Sequence, residues 1–128
     1  MHTAILMMLL AVVSSSAMAE WVELATTDIS TFYVEPTTIR KSGNKVKMWV
    51  LENFNSVQEF SGDKYLSQKA QDEFDYKEEQ RRLLYFTWHS ENMGGGHTVY
   101  MGSKLEMNWK PVAPDSVARA LWKFACGK

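Results

Sequence analysis

The chain has 128 residues, enough for one domain, with 14 Lys and Arg against 15 Asp and Glu, a formal net charge of -1. That balance excludes the basic excess on which generic nucleic-acid or anionic-lipid binding depends. Hydrophobic residues make up 45%, and the five tryptophans run from Trp21 to Trp122, so every segment can bring large rings to a core.

The first element is a targeting segment. Ala4 to Val13 is an apolar run, too short for the about 20 residues of a bilayer-spanning helix. It leads into "SSSAMAE", where Ala17 and Ala19 have the A-x-A spacing of a signal-peptidase site. Residues 1–19 are expected to be a signal peptide and residues 20–128 the mature domain. Position 20 is Glu rather than Cys, so neither a lipid anchor nor, further along, a membrane span is expected.

The mature chain reads as strands. Glu20 to Ala25 is strand-like, "TTDIST" is a turn, and "FYVEP" is a short extended piece ended by Pro36. "KSGNK" (Lys41 to Lys45) carries a hairpin-turn signal. In "KVKMWVLENF", Val46, Met48 and Val50 alternate with Lys45 and Lys47, with Trp49 and Leu51 on the polar side. Asn55 to Lys64 reads as a polar connection. In "YLSQKAQDEFDYK", Ala70, Phe74 and Tyr76 share a face with Asp72, the one-sided pattern of an antiparallel sheet. "RRLLYFTWHS" is expected to be central, with Leu84, Phe86 and Trp88 on one side and Leu83 and Tyr85 on the other. "ENMGGGH" (Glu91 to His97) is a flexible turn, "TVYMG" a strand, and "EMNWKPV" a short last one.

"PDSVARALWKFAC" then changes period. Val117, Ala120, Leu121, Phe124 and Ala125 fall on one helical face, capped by Asp115 or Ser116. The expected fold is α+β: a single antiparallel sheet of five or six strands with one C-terminal helix packed on it.

Groups for catalysis are scarce. His89 and His97 match no zinc spacing, the single Cys126 lies outside any C-x-x-C, and no serine sits in a G-x-S-x-G elbow. "GGGH" lacks the Lys-Ser/Thr of a phosphate loop. No cofactor, metal or enzymatic activity is expected, unless His89 meets a carboxylate in the fold. His97 reads as a hairpin-edge residue. "KEEQRR" reads as a solvated turn, although Lys77, Arg81 and Arg82 could touch an anionic partner.

Three stretches taken together carry a resemblance: "EWVEL…FYVEPTTIRKSGNKVKMWVLENF", "YLSQKAQDEFDYKEEQRRLL" and "W…VAPDSVARALWKFAC". In order and spacing they resemble the surface-adhesin protein E-like domain of Gram-negative bacteria, over essentially the whole mature chain. The resemblance implies a small antiparallel sheet with an attached helix. It also implies binding of host extracellular-matrix or serum proteins, as the family's surface lipoproteins do. In that family the terminal Cys pairs with the Cys of "F-D-C". Here that position is Tyr76, so Cys126 has no second cysteine and no disulfide forms within the chain. Losing a bridge over a loop of about 50 residues forfeits about 2–5 kcal/mol. Cys126 is then expected to be a buried thiol, or else an intermolecular bridge in a homodimer.

Two functional readings follow. One is a non-enzymatic binding module that meets a protein partner through the sheet or its edges, with Lys77, Arg81, Arg82 and His97 of the 91–97 loop as contact candidates. The other is a periplasmic structural or envelope protein with no host ligand. Glu20, standing where the family's adhesins carry the anchored Cys, favours the periplasm over the cell surface.

Overall fold

The computed structural model describes residues 20–103 and 108–127. The signal-peptide expectation over residues 1–19 lies outside them, as does part of the "EMNWKPV" strand. The strands are β1 (Val22–Thr26), β2 (Ser30–Val34), β3 (Arg40–Ser42), β4 (Lys45–Phe60), β5 (Asp63–Asp75), β6 (Gln80–His89), β7 (Thr98–Ser103) and β8 (Lys110–Pro111). One helix, α1 (Val117–Cys126), follows. Every strand pair is antiparallel.

The α+β arrangement is the expected one, but among the described residues the sheet has eight strands, not five or six. The row order is β1-β2-β4-β5-β6-β7, with β3 also on β4 and β8 also on β6. The extra strands continue existing rows. Along one edge of β4, Val50 to Phe54 pair with β2 and Lys45 to Lys47 with β3. Between them Pro36 opens a tight 3-10 turn, Pro36–Thr38, because a proline has no N–H to give a ladder. The carboxylate of Glu35 caps this turn, accepting from the Thr37 N–H and hydroxyl.

The expected polar connection at 55–64 is strand instead. β4 runs on to Phe60, and Ser61 and Gly62 alone make the turn into β5. Both have positive φ, 51° and 86°, as a two-residue hairpin turn matching strand twist requires. The register slips between Asn53 and Gln58, so four residues of β4 oppose Leu66 alone.

A second irregularity changes which side chains share a face. Gln71 pairs with Tyr85 but Asp72 pairs with Leu83, leaving Leu84 as the extra residue of a bulge. Strict alternation groups Leu83 with Tyr85. The bulge resets the phase and puts Leu83 on the face of Phe86.

The core lies between one sheet face and α1. Val34, Val46, Met48, Val50 and Phe74 meet Val112, Leu121, Trp122, Ala125 and Cys126. Fully burying aliphatic or aromatic side chains of this size contributes about 1.5–3 kcal/mol each. Ser116 caps α1 by accepting from the Arg119 N–H at 3.1 Å, and Gly127 ends it in the left-handed region at φ 72°. Of the expected stripe of Val117, Ala120, Leu121, Phe124 and Ala125, Leu121 and Ala125 are buried and Val117 and Phe124 pack partly buried against the core, while Trp122 and Cys126 join the buried side. Arg119 clips the first turn down, donating to the Val112 carbonyl at 2.8 Å and pairing with Glu79. Its guanidinium also lies 5.1 Å from the Trp122 ring centre.

Candidate functional site

α1 shields only part of its sheet face. The strand ends near Val46 and Phe74 lie beneath it. Toward the β4–β5 turn the same face carries rings from four strands. Trp88 is the hub: it stacks on Tyr65 with centroids 4.1 Å apart and planes 6° apart. Phe60 meets it edge-on at 5.7 Å, and Tyr100 lies 5.1 Å away. Phe54 extends the cluster through Tyr65, and Phe86 through both Trp88 and Tyr100. Such ring pairs contribute about 0.5–1.5 kcal/mol each beyond their buried area.

The polar edge of the hub is satisfied. The Trp88 indole N–H donates to Gln68 Oε1 at 2.8 Å. The rim is not covered: Phe60 is 58% and Tyr100 44% exposed. The surface is thus a braced aromatic platform with two rings in solvent, the composition that marks interface cores.

Beneath the first turns of α1, toward the platform, lies a cavity of about 210 Å³. Its apolar wall comes from Phe32, Val50, Leu83, Ala118 and Leu121, and Glu52, Asp72 and Arg81 bring charge into it. Arg81 pairs with Asp72 at 3.4 Å. Glu52 accepts from the Ser30 hydroxyl at 2.8 Å. Burial pushes the Glu52 carboxyl above its ordinary range, against the Ser30 hydrogen bond and the charge of Arg81. Burial and the nearby Glu52 charge also push the Tyr65 phenol up.

The contact candidates from sequence do not form one group. Lys77 is exposed in the β5–β6 turn, where its N–H donates to Asp75 Oδ1. Arg81 faces the cavity. Arg82, its neighbour along the strand, points to the opposite face, bonds Glu73 at 2.8 Å and lies 4.4 Å from the Trp109 ring centre. His97 is exposed at the far end of β6, eight residues of strand from Arg81, or about 25 Å.

The 91–97 loop is not a flexible tip. Asn92 donates to Asn53 Oδ1 and to the Phe54 carbonyl, both at 3.0 Å, filling the slip in β4. The Met93 N–H donates to Asn53 Oδ1 at 2.7 Å and the Gly94 N–H to Ser67 Oγ at 2.8 Å. Gly94 and Gly96 have φ of 73° and 70°, so the glycines supply left-handed backbone to a pinned loop.

His89 is buried, with its Nε2 2.8 Å from the Thr87 hydroxyl rather than against a carboxylate. Burial, then the Lys69 charge, push its imidazole below the ordinary range. Among the described residues no group of three or more His, Cys, Asp or Glu is placed to hold a metal ion. No helix among them is long and apolar enough to cross a membrane. Cys126 is buried at the end of α1.

The aromatic platform was not legible before the register was known. Its members are scattered from Phe54 to Tyr100, and the pairings Gln58–Tyr65, Gln68–Trp88 and Trp88–Tyr100 bring them together.

Comparison with known proteins agrees with this architecture. The family model for surface-adhesin protein E matches residues 21–127. The structure of Haemophilus influenzae protein E superimposes with a TM-score of 0.62 and 10% identity, covering 84% of this chain and 83% of that chain. Its crystal form II gives 0.59 and 10%, covering 87% and 97%. Protein E from non-typeable Haemophilus influenzae gives 0.54 and 12%, covering 82% and 71%. At such identities the likeness shows a shared fold. No curated protein sequence matches the chain. The family match takes in both the sheet and α1, and the chain belongs to the surface-adhesin protein E family.

Proposed function

We propose that this chain is an exported, non-enzymatic module that binds a polypeptide partner on its aromatic platform. The observation that carries this reading is the exposure of Phe60 and Tyr100 on a cluster braced by the Tyr65–Trp88 stack. Rigid aromatic anchors bind with little loss of side-chain freedom, and Trp and Tyr dominate the energetics of interfaces. Family membership supports a protein partner, with host extracellular-matrix or serum proteins as first candidates. Glu20 supports a periplasmic location, and with it an envelope protein as the partner.

The test pairs location with binding. Protease shaving of intact cells beside an osmotic-shock extract locates the protein. Purified protein is then titrated against extracellular-matrix and serum proteins, and against envelope extract. Saturable binding that weakens at least about tenfold in Phe60→Ser with Tyr100→Ser, with the circular dichroism unchanged, supports the platform. Binding that this double variant leaves untouched rules it out as the contact surface.

A further inference from the structure

We propose that the cavity at the foot of α1 binds a small organic cation, an alkylammonium group on an apolar stem, with Glu52 as its counter-ion. The argument is one of charge and volume. Arg81 is already committed to Asp72 at 3.4 Å. Glu52 has the Ser30 hydroxyl as its hydrogen-bond partner, and no described Lys or Arg forms an ion pair with it. Arg81, held by Asp72, acts on Glu52 only as a neighbouring charge, and a carboxylate drawn partly out of water without an ion-pair partner of its own is under-compensated.

The remaining lining selects the ligand. Two carboxylates against one guanidinium repel an anion. A neutral donor can only hydrogen-bond the Glu52 carboxylate, as the Ser30 hydroxyl already does, and leaves its charge uncompensated. A cation completes the pair, and Phe32, Val50, Leu83 and Leu121 accept its stem. At about 210 Å³ the cavity is below the roughly 300–1,000 Å³ of clefts for drug-sized ligands, so the guest has only a few carbons. A diffusible amine and the end of a lysine side chain on a partner present the same chemistry.

The test uses n-butylammonium and its uncharged counterpart n-butanol as probes, followed by amide chemical shifts of the intact mature chain. Saturable shifts at Ala70, Leu83 and Ala118 with butylammonium are expected, and binding at least about tenfold weaker for butanol. Glu52→Gln should remove that preference. Ala118→Phe, which fills the cavity from the helix side, should abolish binding while leaving Glu52 in place. It serves as the readout if Glu52→Gln does not fold. Equal binding of the two probes, an unchanged preference in Glu52→Gln, or no saturable shift at these residues each overturns the proposal; the last would leave a cavity that holds water. A blocked Gly-Gly-Lys-Gly-Gly peptide separates the sources. If it binds and displaces butylammonium, the cation comes from a polypeptide; if it does not, the ligand is a free amine. Butylammonium binding in a protein whose platform recognises no polypeptide would sink the protein-binding reading and leave this one standing.

Discussion

The indole nitrogen of Trp122 donates to the main-chain carbonyl of Asp75 across 2.9 Å of buried interior. This bond ties α1 to the end of β5, one residue before Tyr76. Cys126 lies one helical turn beyond Trp122, and both are buried in the core. The hydrogen bond therefore stands beside the place where the family resemblance puts a disulfide between positions 76 and 126. Trp122→Phe keeps most of the ring and removes the donor, so the Asp75 carbonyl loses this buried hydrogen bond. The expected cost is about 1–3 kcal/mol, read as a lower urea midpoint at unchanged slope.

The same geometry makes the lost bridge restorable. In Tyr76→Cys the new thiol sits next to Asp75 in sequence, and Asp75 is held to the helix turn that precedes Cys126. Tyr76 is 40% exposed, so its replacement removes little core. The oxidised variant is expected to gain about 2–4 kcal/mol over its reduced form. At about 4–8 °C per kcal/mol, the melting temperature should rise by roughly 8 °C or more. No difference between oxidised and reduced melting curves would show that the two positions do not reach each other.

Arg82 tests the split between the two faces of β6. It is the cation on Glu73, which is buried at 7% exposure. Arg82→Met strands that carboxylate and should cost about 1–3 kcal/mol, discounted from the figure for a fully buried pair because Arg82 is partly solvated. Lys77→Met, in the exposed turn, should stay within about 0.5 kcal/mol of wild type. Equal effects from the two substitutions would mean that the pairing with Glu73 is energetically idle.

These residues show how far the sequence could be read. The alternation of Val46, Met48 and Val50 gave the core face of β4, and the Ser-Gly-Asn signal gave the β3–β4 turn. The capped, three- and four-spaced run gave α1. Reading stopped where tertiary pairing overrides local pattern. Asn55 to Phe60 is too polar to announce a strand; it is one because residues 63–65 pair with it across a two-residue turn. Leu83 changes faces because of a bulge that no composition encodes. Cys126 is buried as expected, but Trp122 was missed on the helix because the helical face was chosen from the apolar run alone, without the carbonyl that Trp122 satisfies. The platform and the Glu52 cavity each draw on residues from several strands, so both waited on the register.

Asn92 holds the 91–97 loop into the slip of β4 through Asn53 and the Phe54 carbonyl. Asn92→Ala removes both bonds. The expected result is a loss of about 1–3 kcal/mol and faster hydrogen exchange at Met93 and Gly94, whose N–H groups donate to Asn53 and Ser67. Exchange at Val46 and Phe74, on the other end of the sheet, should not change. If the Met93 and Gly94 amides already exchange freely in wild type, the loop is not pinned in solution.

Acid should weaken this fold in two separable steps. Burial, then Lys69, hold the His89 imidazole below its ordinary 6.5 in the folded chain. As pH falls through 6.5, the unfolded chain takes up a proton that the native one refuses, so stability is full above that value and declines below it. Asp75 is held below its ordinary 3.8 by the Glu78 N–H, then by Lys45 and the Lys77 N–H, against burial. Its contribution is present above 3.8 and is lost as pH falls further. Glu52, raised by burial, acts in the opposite sense, because its native form takes up a proton first. Comparing variants separates these groups. Urea midpoints measured from pH 7.5 to 5 should fall in wild type and stay flatter in His89→Gln. Asp75→Asn should instead lower the midpoint throughout that range and remove sensitivity only below about pH 4. If His89→Gln follows the wild-type curve between pH 7.5 and 5, the imidazole is not the group that titrates there.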